Sequence, residues 1–196
     1  MSKVYYLQTP IKDEDIQTVN VGDIIYITGV IVTGRDAVHT RLLEEGKPLP
    51  IDLRGLALYH AGPAVRKVGS EWEVVAIGPT TSMRMENWEA EFIKRTGVKV
   101  IVGKGFMGSQ TAEACRNYKC LVTMFPGGCG VLAAKRVEKV LDVHWLDLGV
   151  PEALWVLKVK EFGPLLVTID TLGNNMYYER SRDIEERKKL VLSKIK

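Results

Sequence analysis

Apolar and polar positions run along this chain in two rhythms, one of period two and one of about three and a half. From Asp23 to Thr33 the run DIIYITGVIVT is almost wholly β-branched or aromatic, which predicts a strand. Arg35 to Glu45 then carries helical spacing, with Asp36 placed to act as N-cap and Gly46 as the stop. A proline-punctuated KPLPIDLRG leads to two more strand-like runs, LALYHAGP from Leu56 to Pro63 and GSEWEVVAIG from Gly69 to Gly78. In MENWEAEFIKRTG, Met85, Trp88 and Phe92 recur on one helical face and Gly97 ends the helix.

Downstream the two rhythms interleave. VKVIVG reads as strand, SQTAEACRNYK as helix, CLVTMF as strand and CGVLAAKRVEKV as helix, joined by short glycine-containing links. That alternation predicts an α/β fold with at least a partly parallel sheet. Beyond Leu141 the pattern is strand again through ALWVLKVKEFGPLLVTID, with Gly163 and Pro164 expected to separate two strands. A charged helix over 177–196 closes the chain. No internal repeat or low-complexity linker interrupts 1–196, so it reads as one domain with a β-rich and an α/β portion.

Composition narrows the function. With 46% hydrophobic and 26% charged residues the chain is an ordinary soluble type, and no apolar run approaches the ~20 residues of a membrane span. The N-terminal MSKVYYLQTPIKDED lacks a basic-then-apolar export pattern, so a cytoplasmic location is expected. The net charge of +3 sits in the tail, where seven basic residues face four acids from Glu179 to Lys196. A neutral body with one mixed-charge helix is not the broad basic face of a nucleic-acid binder. Cys115, Cys120 and Cys129 show no metal-ligand spacing and read as buried thiols in a reducing compartment.

Three strand ends carry unusual polar chemistry: TGRDAVH (Thr33–His39), GPTTSMRM (Gly78–Met85) and VGKGFMG (Val102–Gly108). Each hands a strand over to a helix, at the edge of an α/β sheet where ligands ordinarily bind. Arg35, Arg84 and Lys104 would supply positive charge for a small dicarboxylate, arginine in bidentate fashion. Each has a plainer reading beside it: Arg35 as a solvated residue before a cap, His39 as a packed histidine, Ser82 as a helix cap and Lys104 as a turn residue. A cap needs one hydroxyl, however, whereas Thr80, Thr81 and Ser82 supply three. Gly103, Gly105 and Gly108 match the spacing of a dinucleotide loop, but no acidic residue ends the next strand, where MFPGG stands. His60 and His144 read as structural, and the three histidines are too scattered in sequence to argue a zinc site.

The ordered set TGRDAVH, HAGPAVRK, GPTTSMRM, VGKGFMG, FPGGCGVLAA, DLGVPEALWVLKVKEFGPL and IDTLGNN resembles the β subunit of the iron–sulfur hydro-lyases. That family contains class I fumarases and L(+)-tartrate dehydratases, and the likeness spans roughly residues 5 to 176. The resemblance implies a swivelling three-layer β/β/α domain. It also implies a partner α subunit holding a four-iron four-sulfur cluster whose open iron acts as a Lewis acid, with none held by this chain. By the same resemblance Arg35, Arg84 and Lys104 bind substrate carboxylates, while His39 and Thr80 are candidates for proton transfer. Histidine is the ordinary base near neutral pH, and an unassisted threonine is a poor one. Phe106 stands where many members carry glycine.

The expected function is the β subunit of a class I fumarate hydratase, interconverting fumarate and L-malate within a hetero-oligomer. L(+)-tartrate dehydration to oxaloacetate is the alternative within the class. A non-catalytic dicarboxylate-binding or assembly module is the alternative outside it.

Overall fold

The computed structural model describes residues 2–193. In chain order the strands are β1 (Val4–Gln8), β2 (Ile24–Thr33), β3 (Ala57–Tyr59), β4 (Ala64–Val68), β5 (Glu71–Ala76), β6 (Val100–Gly103), β7 (Leu121–Met124), β8 (Val137–His144) and β9 (Leu154–Ile169). The helices are α1 (Asp13–Ile16), α2 (Asp36–Leu43), α3 (Glu86–Thr96), α4 (Ser109–Tyr118), α5 (Gly130–Ala134) and α6 (Met176–Ser193).

Seven strands form one sheet in the order β1-β2-β3-β6-β7-β9-β8, and β4 pairs with β5 as a separate hairpin. Pairing is parallel from β1 through β7 and antiparallel at β9 and β8. Because β9 also pairs antiparallel with β2, the strands β2, β3, β6, β7 and β9 close on themselves.

Strand side chains alternate faces, and this sequence uses both. Ile25, Ile27, Tyr59, Val100, Val102, Leu121, Trp155, Leu157 and Phe162 fill the interior of the closed sheet. Their neighbours Val32, Leu58, Ile101, Val122 and Val156 face outward, where Val38 and Leu42 of α2, Phe92 and Ile93 of α3 and Cys115 of α4 cover them. The result is three layers: helices, a parallel wall, and an antiparallel wall backed by the hairpin. Gly97 takes φ +67° just past α3 and ends it as expected.

Two expectations are corrected. The helix expected over CGVLAAKRVEKV stops at Ala134, and β8 begins at Val137. Register shifts against β9 after Val137 and after Val140 turn Val137, Val140 and Val143 inward, against the inner core. Bulges thus give a strand the every-third-residue spacing that a helix would show. The break expected at Gly163 and Pro164 is likewise absent, since β9 runs unbroken from Leu154 to Ile169. The irregularity is absorbed within the strand: Glu161 takes φ +47°, and its N–H bonds the Thr28 hydroxyl at 3.0 Å.

Candidate functional site

Strands β2, β3 and β6 deliver their carboxyl ends to one edge of the sheet, and residues 79–82 are laid across that edge. Pro79 bridges to Ala61, and Thr81 bridges to Lys104. The Thr80 N–H donates to the His60 carbonyl at 2.6 Å, and the Thr80 carbonyl accepts from Lys104 N–H at 3.1 Å. Ser82 N–H then donates to the Lys104 carbonyl at 2.9 Å. Thr80 is therefore stitched between the ends of β3 and β6, with its side chain partly exposed.

The three expected cations reach this edge differently. Arg84 grips Asp36 with two nitrogens, Nε to Oδ1 at 3.0 Å and Nη2 to Oδ2 at 2.9 Å. Asp36, expected as the N-cap of α2, is its first helical residue and makes no cap; Arg35 holds the cap position without a side-chain bond. Arg35 pairs with Glu152 at 2.9 Å. Glu152 is placed there by Thr33, whose hydroxyl donates to the Ala153 carbonyl and accepts from Trp155 N–H. Lys104 is exposed and makes no ion pair among the described residues, and its stem lies over Gly127. Two of the three cations are thus already matched by this chain's own carboxylates. Such pairs hold the guanidinium planes in place at an open edge, ready to exchange a surface carboxylate for a ligand's.

The glycine loop before α4 has its anion built in. Glu86, at the start of α3, accepts from Gly108 N–H at 2.6 Å, Thr111 Oγ1 at 2.7 Å and Thr111 N–H at 3.3 Å. A carboxylate therefore occupies the place at the α4 N-terminus where a dinucleotide's pyrophosphate would lie. Phe106 stacks on Tyr177 of α6, centroids 3.8 Å apart.

Beneath the edge lies a buried cluster that the sequence did not reveal. His39 Nε2 is 3.3 Å and His60 Nε2 3.0 Å from the same Oε2 of Glu89, and all three side chains have no exposed surface. Neither ring N–H lies along its contact, so both Nε2 atoms and both Glu89 oxygens lack an aligned hydrogen bond. The outer nitrogens are anchored: His39 Nδ1 is 2.9 Å from the Arg35 carbonyl and His60 Nδ1 is 3.1 Å from Ser82 Oγ. A carbonyl only accepts, so His39 Nδ1 carries a proton. Burial pushes the Glu89 carboxyl up, but the two imidazoles together outweigh it and hold it down, at about 2. Two histidines that looked scattered, positions 39 and 60, converge on one carboxylate, while His144 sits apart beside Asp142. His39, expected as a candidate for proton transfer, has no exposed surface and sits with Glu89 in this buried cluster.

The thiols do not fit an iron–sulfur cluster. Cys115 and Cys120 are sealed in the outer core, and Cys129 packs against the inner one. A hydrogen bond with Cys120, with burial added, pushes the Cys115 thiol well up, away from the thiolate a metal needs. Among the described residues, the one group of three or more such side chains with converging donor atoms is His39, His60 and Glu89. No helix of the described residues is long and apolar enough to cross a membrane.

The family model for the fumarase C-terminus matches residues 2–180. The L(+)-tartrate dehydratase subunit beta of Escherichia coli (strain K12) is 56% identical over 189 residues, 96% of this chain and 94% of that protein. A putative L(+)-tartrate dehydratase subunit beta of Methanocaldococcus jannaschii is 42% identical, covering 93% of this chain and 95% of its own. A putative fumarate hydratase class I of Geobacillus stearothermophilus is 39% identical over 99% of this chain, which spans 37% of that longer protein.

Proposed function

We propose, since this chain belongs to the fumarase C-terminus family, that it is the β subunit of a heteromeric carbon–oxygen hydro-lyase acting on a 2-hydroxy dicarboxylate, with L(+)-tartrate as substrate. What carries the choice of substrate is the 56% identity to a tartrate dehydratase β subunit that matches this chain along nearly its whole length. Fumarate and L-malate, the pair expected first from the sequence, form the second reading, favoured by the 39% identity to a fumarate hydratase.

On this reading Arg84 and Arg35 release Asp36 and Glu152 and take up the substrate's two carboxylates, with Lys104 adding charge beside them. Cations there stabilise the negative charge that grows on the carboxylate-conjugated carbon as its proton leaves. One carbon of tartrate loses that proton, its neighbour loses hydroxide, and the resulting enol becomes oxaloacetate with release of one water. On this reading Thr80 handles the proton; its backbone is held on both sides, by the His60 carbonyl and the Lys104 N–H. His39 serves from behind, through the Arg35 carbonyl. The cluster that the resemblance implies would be held by the α subunit, because this chain's thiols do not converge. A cytoplasmic setting agrees with three free thiols.

The test is anaerobic co-expression with a candidate iron–sulfur α chain, followed by assays with L-tartrate, malate and fumarate. Turnover of tartrate that Thr80→Ala abolishes, and that Arg84→Ala weakens through a raised KM, supports the reading. Turnover of malate or fumarate alone moves the substrate to the second reading. A pair that carries its cluster and turns over none of the three would leave a non-catalytic dicarboxylate-binding module as the better account.

A further inference from the structure

The Glu89 cluster reaches the edge at the Arg35 turn and at the Thr80–Ser82 segment without being part of its surface. Through His39 Nδ1 it reaches the Arg35 carbonyl at 2.9 Å, at the turn into α2. Through His60 it reaches the other side twice, by the ring to Ser82 Oγ at 3.1 Å and by the backbone carbonyl to Thr80 N–H. Ser82 in turn fills the space above Gly103, where a Cβ would overlap its hydroxyl, one residue before Lys104. Glu89 itself comes from α3, so one carboxylate ties the ends of β2, β3 and β6 to a helix. A charge buried this deeply is expensive to keep, and this one stands against two imidazoles at 3.0 and 3.3 Å rather than against solvent.

We infer that Glu89 is a positioning residue for the hydro-lyase site: acting through His39 and His60, it sets the Arg35 turn and the Thr80–Ser82 segment in one fixed relation. The inference rests on the reading above for its activity readout. Its geometry consists of two fully buried rings, each outer nitrogen in hydrogen-bond contact with a loop and each inner nitrogen within 3.3 Å of the same Glu89 oxygen. Loosening the hub lets the Thr80 hydroxyl drift, and a misplacement of about 1 Å can cost roughly a hundredfold in rate.

The experiment uses the reconstituted αβ pair with Glu89→Gln, which keeps the shape and removes the charge, and with Ser82→Ala, which cuts one tie and leaves the hub. Glu89→Gln is expected to lower kcat at least tenfold with KM changed less than threefold; Ser82→Ala is expected to lower kcat about fivefold with an unchanged melting temperature. Amide hydrogen exchange on the β chain should speed up at Thr80 and Ser82 in both variants while β6 and β7 keep their protection. Exchange does not depend on turnover, so it tests the hub even if the wild-type pair proves inactive, an outcome that would sink the functional reading alone. Both variants retaining kcat within twofold and unaltered exchange at Thr80 would overturn the inference. So would a stoichiometric transition metal in the wild-type β chain that is lost in Glu89→Gln, because the rings would then be ligands.

Discussion

Replacing Glu86 with alanine should unfasten α4 from α3, and the cost can be worked from its contacts. The carboxylate accepts from Gly108 N–H, Thr111 N–H and Thr111 Oγ1, at 2.6, 3.3 and 2.7 Å. Losing a helix cap costs typically ~1 kcal/mol, and losing a negative charge from a helix N-terminus costs about 0.3–1 kcal/mol more. A loss of about 2 kcal/mol is expected, which for a chain of this size lowers the melting temperature by roughly 4–8 °C. Gly108 supplies an internal control. Its backbone is ordinary, φ −87° and ψ −165°, so alanine there meets no conformational penalty. Its Cβ would nevertheless stand 2.5 Å from Glu86 Oε1 and push the cap aside. Gly108→Ala should therefore cost about as much as Glu86→Ala, and the double variant little more than either, a coupling of about 2 kcal/mol. Thermal unfolding followed by circular dichroism measures all four species. Additive losses, or a Glu86→Ala protein melting within 1 °C of wild type, would refute the assignment of Glu86 as the cap.

Three further outcomes follow from the same geometry. Glu89, held at about 2 in the fold against an ordinary 4.5, contributes stability that is present above roughly pH 5 and lost as pH falls toward 2. At about 1.4 kcal/mol per unit this amounts to about 3 kcal/mol, so melting temperature from pH 7 to pH 3 should fall more steeply in wild type than in Glu89→Gln. In the reconstituted pair, Arg84→Ala should raise KM for the dicarboxylate roughly tenfold to a hundredfold, the loss of a charge-assisted bond of about 1.5–3 kcal/mol; steady-state assays across substrate concentration decide it, and an unchanged KM would remove Arg84 from the clamp. Gly103→Ala should lower kcat and melting temperature together, because its Cβ would collide with Ser82 Oγ and come within 3.3 Å of His60 Nδ1; an active, fully stable variant would show that the 79–82 segment is free to shift.

Much of this architecture is legible in the chain because burial on both faces leaves plain runs. VKVIVG and CLVTMF are read correctly as strands for that reason, and the helix between them follows from its glycine-containing links and the alternation of elements. Where β8 departs from that pattern, two bulges counterfeit a helical repeat, and pairing with β9 overrides it. The loops carrying Arg35, Thr80, Arg84 and Lys104 announce themselves by chemistry that a turn does not require. What the sequence conceals is partnership: nothing in TGRDAVH says that Asp36 belongs to Arg84, nor that Arg35 looks to Glu152. Glu89 did leave a mark, since it falls four residues after Met85 on the same face as Met85 and Phe92. A carboxylate on an apolar stripe asks for a buried partner, and His60 supplies one from a strand end that no local pattern connects to it.

The closing of the sheet has a consequence for how the chain is made. Thr33 Oγ1 bonds the carbonyl of Ala153, 120 positions later, at the point where β2 meets β9. At about 5–20 residues per second of synthesis, β2 leaves the ribosome roughly 6–24 seconds before the strand that completes it. Until β9 arrives Ile25, Ile27 and Ile31 lack their far wall, and the edge meant for β9 is open to any other extended chain. Because Glu152 arrives with that same late segment, the Arg35 end of the crevice is completed only when the last wall is in place.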